Sequence, residues 1–291
     1  MPSFDIDAGQ IFYEEHGSGD PPLVFVHGLA CAHQDWRNQV DCFAPSHHVV
    51  SLDLRGHGRS ADCTSGFDIV SFGADVAALI AMLELPPVLL TGHSMGCRVV
   101  LECARIAPER IAGLVLIDGS HLAATSADVA RRATLSTIQA SGYEAFFGRL
   151  FTQMFTAASD AETRDATVAR AKRLPQKVGL ELVPDMAAWD TEVAERALRS
   201  LKIPVKVLQS THLNENRERV SLQPGEISPW PELVKKLVPH AEIDILPGVG
   251  HFTMIEAAGE VNRHIKATLV ELSEISSALA RSASARRRPV T

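Results

Sequence analysis

The stretch LLTGHSMGCRVV, residues 89–100, sets Ser94 between Gly92 and Gly96 directly after an aliphatic run. The pattern G-x-S-x-G decides little by itself, since about one chain in ten of this length carries it by chance. Its surroundings carry more. The aliphatic run before it reads as a strand, and GCRVVLECARIAPERI (96–111) behind it reads as a helix. A serine on a strand–turn–helix bend is exposed above the sheet, where a nucleophile is useful.

Working outward, the same unit recurs. Short aliphatic runs end in turns rich in Gly, Asp or Ser: PLVFVHG (22–28), HVVSLDLRGHG (48–58), PVLLTGHS (87–94), GLVLIDGS (113–120), PVKVLQS (204–210) and AEIDILPGVGH (241–251). Runs this uniformly apolar are typical of strands covered on both faces. Helix-like segments such as FGADVAALIAMLEL (72–85) lie between them, so the chain reads as α/β with an open, mostly parallel sheet. SFDIDAGQIFYEE (3–15) alternates polar and apolar residues, as a hairpin at a sheet edge does. Residues 121–200 break the alternation with long helical periodicity and no convincing strand. The expected organisation is a core formed by 1–120 and 201–278, a helical cap at 121–200 inserted between two sheet strands, and a disordered basic tail at 279–291.

The 291 residues are 46% hydrophobic and 22% charged, an ordinary globular balance. A net charge of −7 gives no electrostatic support for nucleic-acid binding, and four of the arginines sit in the tail. Five cysteines, odd in number and without metal or redox spacing, fit a reducing compartment. No signal peptide and no membrane-spanning run are visible, so a cytoplasmic protein acting on a small molecule is expected. Oligomeric state is not readable. No metal motif and no phosphate loop occur, and no cofactor is implied.

In open α/β sheets functional groups gather beyond the carboxyl ends of the strands. There the helix behind Ser94 points its first amides at the site, and the Met95 N–H is placed to donate to an oxyanion. A serine hydroxyl still needs a base to take its proton.

From about residue 10 to about 275 the chain resembles the α/β-hydrolase superfamily, through VHGLA, DLRGHGRS, GHSMG and GVGHF in that order. The resemblance implies an α/β-hydrolase fold, His251 as general base and the Leu29 amide as a second oxyanion donor. It implies shaping roles for His27 and Gly28, and a structural turn around Asp53, Arg55 and His57. The acid departs from the commonest pattern. The usual position after the post-cap strand falls on Leu213, followed by Asn214 and Glu215. The superfamily's second position, after the strand before the cap, falls on Asp118, which is the residue expected here, with Glu215 the alternative.

A serine at the elbow implies a serine hydrolase that cleaves a small or medium carboxylic ester or thioester. Two alternatives stand beside it. Cofactor-free dioxygenases of N-heteroaromatic substrates resemble this chain in the pre-cap acid and would use the His251–Asp118 pair as base; a ligand receptor on the same fold is the other. Trp189, Cys31 and His33 are the expected substrate-binding residues. Phe146, Phe147, Phe151, Met154 and Phe155 recur at helical spacing and read as the cap's own core or, in part, as a substrate wall.

Overall fold

A computed structural model describes residues 2–215 and 218–286. Its strands are β1 (Ser3–Ile6), β2 (Gly9–His16), β3 (Leu23–Val26), β4 (Val49–Leu52), β5 (Val88–His93), β6 (Ile111–Ile117), β7 (Val205–Gln209), β8 (Thr211–Leu213), β9 (Arg219–Ser221) and β10 (Glu242–Ile245). Eight of them form one sheet in the order β1-β2-β4-β3-β5-β6-β7-β10. The six aliphatic runs supply its parallel strands, and the β1–β2 hairpin adds an antiparallel edge.

Every residue of β3, β4, β5 and β7 is buried, which requires cover on both faces. The helices are α1 (Arg37–Phe43), α2 (Ile69–Met82), α3 (Met95–Ile106), α4 (Ala127–Ser141), α5 (Tyr143–Thr152), α6 (Ala161–Lys172), α7 (Gln176–Glu192), α8 (Ala194–Ser200), α9 (Pro229–Leu237), α10 (Thr253–Glu256) and α11 (Ala258–Arg286). A row α2–α3–α8–α9 packs together, and α1, α10 and α11 form a second group. The entry to α2 is fixed by Asp68, whose carboxylate accepts from the Ser71 amide at 2.7 Å, an N-cap that satisfies an otherwise orphaned donor.

The insertion between β6 and β7 holds five helices, α4 to α8. Among them α7 carries Pro184 in its interior and Gly179 in its first half, two residues that hide a helix from periodicity. The insertion is fastened to the core by a buried bidentate pair. Arg98 of α3 donates to both oxygens of Asp190 at the end of α7, at 2.9 and 2.6 Å. The last helix continues to Arg286, past residue 278 where the core was expected to end. Residues 287–291 of the expected tail lie outside the described residues. No helix among the described residues is long and apolar enough to cross a membrane.

Sheet register positions the site. β3 runs outward to β4, then the chain returns to place β5 on the other side of β3, so the carboxyl ends of β3 and β5 flank a switch point. Val26 pairs with Gly92, His93 with Ile117, Ile117 with Leu208, and Gln209 with Ile245. Leu29, Ser94, Asp118, Ser210 and the loop to His251 therefore leave one edge of the sheet together.

Candidate active site

Ser94 sits at φ 54° and ψ −115°, in the left-handed region that costs an L-residue about 1–3 kcal/mol. The bend closes only because its flanks lack side chains. A Cβ on Gly92 would lie 2.4 Å from the Gly96 carbonyl oxygen, and one on Gly96 would lie 2.4 Å from that of Val26. The Ser94 amide donates to Ile117 O at 2.8 Å, tying the elbow to β6. Among the described residues four non-glycines have positive φ, and three of them, Ala30, Ser94 and Asp118, lie at these strand ends.

His251 reaches the elbow through its neighbours. His93 Nε2 donates to the His251 carbonyl at 2.9 Å, and the two imidazoles are 4.7 Å apart. The insertion grips the same residue, since the His251 amide donates to Met154 O at 2.7 Å. His251 Nδ1 donates to Asp118 Oδ2 at 2.5 Å, which leaves the lone pair of a neutral ring on Nε2.

Asp118 is fully buried and held by donors. Its Oδ1 accepts from the Ser210 and Thr211 amides, each at 2.8 Å, and its Oδ2 from the Thr211 hydroxyl at 2.5 Å. Burial works to raise this carboxyl. The His251 hydrogen bond, the charges of His251 and Arg219 and the Thr211 hydroxyl outweigh it and hold the group at about 2. Burial, followed by the Arg219 charge, lowers His251 to about 4 against the opposing pull of Asp118. Leu213 ends the short strand β8, and Glu215 is exposed in the turn after it.

The two expected oxyanion amides sit on either side of the switch point. Met95 is the first residue of α3, so its N–H has no carbonyl one turn back to bond. On the β3 side, the Cys31 amide donates to Gly28 O at 3.2 Å, closing a turn whose own bond does not use the Leu29 N–H. His27 fixes this loop as a neutral ring: Nδ1 donates to Gly28 O at 2.7 Å and Nε2 accepts from the Leu54 amide at 3.0 Å. Burial first, and then nearby cations, lower it to about 4. Arg170 of α6 braces the far side, donating to Ala30 O at 3.0 Å and to both oxygens of Asp35 at 2.9 and 2.7 Å. Nothing in the sequence pattern pointed to Arg170.

The structure thus gathers Ser94, His251, Asp118, Met95 and Leu29, and parts them from two expected substrate contacts. The His33 ring faces Asp53, with Nδ1 2.9 Å from Oδ1, because its own amide also binds that carboxylate at 2.7 Å and fixes its direction. Trp189 donates its Nε1 to Glu102 Oε2 at 3.1 Å, two turns of α3 away from the elbow. Cys31 stays in the loop after β3, buried, with its thiol pushed well up by burial and then by Asp35. The phenylalanine stripe meets the site indirectly. Phe155 stacks on Phe252, the residue after His251, with centroids 5.0 Å apart, and Phe151 meets the same ring at 6.4 Å. Asp53, Arg55 and His57 form the expected structural turn, in which Arg55 pairs with Asp75 at 2.5 and 2.8 Å. The sequence reading missed Thr211 and Arg219, the residues of the β8–β9 hairpin that face Asp118.

Residues 23–264 match the family described as "Alpha/beta hydrolase family". The chain belongs to the alpha/beta hydrolase family. It is 29% identical over 272 residues to the dihydrolipoyllysine-residue acetyltransferase component of an acetoin cleaving system from Pseudomonas putida, covering 89% of this chain and 66% of that protein. It is 40% identical over 114 residues to a non-heme chloroperoxidase from Streptomyces lividans, 38% of this chain and 41% of that protein. The matched region therefore spans less than two thirds of either relative's length. The fold is shared with a thermophilic esterase from Thermogutta terrifontis at TM-score 0.69 and 23% identity, over 90% of this chain and 94% of that one.

Proposed function

We propose that this protein is a serine hydrolase that cleaves a small or medium carboxylic ester or thioester through an acyl-enzyme on Ser94. The single observation that carries the reading is the 2.5 Å Asp118–His251 bond held beside the strained Ser94 elbow by His93. Ser94 Oγ attacks the acyl carbon as His251 Nε2 takes its proton, and Asp118 stabilises the imidazolium that forms. The Met95 and Leu29 amides receive the oxyanion, and His251 then protonates the leaving alcohol or thiol. Water repeats the sequence on the acyl-enzyme and releases the acid. The five-helix insertion serves as a cap whose apolar stripe favours an apolar acyl group. The esterase likeness agrees with this substrate class.

Ser94→Ala is expected to abolish hydrolysis of short-chain nitrophenyl esters while circular dichroism and the unfolding midpoint stay as in the parent. Turnover retained by that variant removes the reading.

A further inference from the structure

We propose that Arg219 is a positioning residue that sets the lower pH limit of the site by holding a second positive charge against the Asp118 oxygen that binds His251. The inference rests on the assignment of His251 as the base. Register places Arg219 opposite Leu213 across the β8–β9 hairpin, so its side chain shares a face with Thr211 and reaches it diagonally. Its Nη1 donates to Thr211 Oγ1 at 2.7 Å and lies 3.5 Å from Asp118 Oδ2. The Thr211 hydroxyl donates to that same oxygen, and His251 Nδ1 is the third group on it. The guanidinium is buried, so water does little to screen it.

Among the described residues, other charged and titratable groups flank this cluster from the packed elements, and one is the Cys97 thiol of α3, pushed up to about 12 chiefly by burial and donating to the Gly92 and Ile117 carbonyls. From α3, Arg98 is committed to Asp190. From β5, His93 is neutral, lowered to about 3 by burial and then by His251, with its Nε2 on the His251 carbonyl. From α10, the Glu256 carboxylate accepts from Ser159. From β8, His212 stands next to Thr211 and opposite Val220. Among the described residues Arg219 is thus the cation that shares Asp118 with His251.

One carboxylate facing two cations favours each less than it would alone. A protonated His251 is repelled by the fixed guanidinium, so the ring stays neutral, and able to accept a proton, further into acid. Thr211 bridges Arg219 to Asp118 through its hydroxyl. The commonest superfamily arrangement, with a carboxylate after the post-cap strand, puts a negative charge where this chain sets the Ser210 and Thr211 amides, the Thr211 hydroxyl and Arg219 toward Asp118.

The test is the pH dependence of kcat/KM and the ring titration of His251 by NMR, in the parent, Arg219→Gln and Arg219→Lys. Glutamine keeps a donor for Thr211 and removes the charge, and lysine restores the charge. In Arg219→Gln the acid limb and the ring midpoint are expected to move up together by about one pH unit, and in Arg219→Lys to lie close to the parent. A uniform loss of kcat/KM at every pH with an unmoved midpoint makes Arg219 a scaffold residue only and overturns the proposal. Should glutamine fail to fold, Arg219→Met supplies the neutral variant, and a parent ring midpoint at or above that of free histidine overturns the proposal with no variant at all. The NMR readout needs no substrate, so an inactive parent refutes the hydrolase reading and leaves the ring titration to decide Arg219 separately.

Discussion

The carboxyl ends of β6 and β7 are neighbours in the sheet and both face His251, yet they do opposite things. β6 ends in Asp118, a buried carboxylate forced to positive φ. β7 ends in Ser210 and Thr211, which offer two amides and a hydroxyl to that carboxylate and then fold back as the β8–β9 hairpin. Ser210 also donates its hydroxyl to Gly250 O at 2.8 Å, so the β7 end steadies the His251 loop as well. The difference teaches that the acid of such a site is located by which strand end supplies donors and which needs them.

The largest effect should come from breaking the β6 side. Asp118→Asn leaves His251 without its tautomer partner and is expected to lower kcat about 10⁴-fold on the pattern of other triads. Adding Leu213→Asp to it is expected to recover nothing, because Leu213 lies two residues, roughly 7 Å, along β8 from Thr211. Recovery by that double variant would show that the two strand ends are interchangeable. Thr211→Val trims the β7 side by one charge-assisted donor and should lower kcat about tenfold with little change in KM. Steady-state kinetics on a short-chain ester separates the two cases.

Acid tests both ends together. His251, lowered to about 4, must be neutral to act, so kcat/KM is expected to hold on the acid side until the pH falls through about 4. Stability has its own window. His27, His57, His93 and His251 are lowered to between about 3 and about 4, in each case chiefly by burial, from an unfolded value near 6.5. Between those limits the unfolded chain binds protons that the folded one refuses. Stability therefore falls as pH drops below about 6.5, by up to about 1.4 kcal/mol per pH unit for each histidine. Urea midpoints from pH 7 to pH 4 measure it, and a flat profile would contradict the neutral buried rings. The smallest effect on catalysis is expected away from both strand ends. Trp189→Phe should cost about 1 kcal/mol of stability through the lost bond to Glu102 and leave KM unchanged.

Much of this was legible because the chemistry constrains the letters. Ser94 needs glycine on both sides, and the strands covered on both faces need largely apolar runs, so both stand out in the sequence. That Asp118 lies against His251 was readable by position, once Leu213 occupied the more usual place. The rest was hidden for physical reasons. Gly179 and Pro184 interrupt the pattern of α7, and a helix packed on two sides tolerates them. Arg219 reads as a loop charge until β9 folds it inward against Thr211. His33 reads as a pocket residue from its nearness to VHGLA, and Trp189 from its place at the end of the insertion. A turn's direction and a helix's facing decide such contacts, and here Asp53 and Glu102 claim the two side chains.

The most direct measurement is the rate and site of fluorophosphonate labelling, followed by intact mass and peptide mapping, in the parent, Asp118→Asn and Glu215→Gln. The account predicts one label on Ser94 in the parent, the same rate in Glu215→Gln, and labelling in Asp118→Asn slower by about a thousandfold or more. No label on the folded parent, a label on another residue, or slowing by Glu215→Gln in place of Asp118→Asn would contradict it.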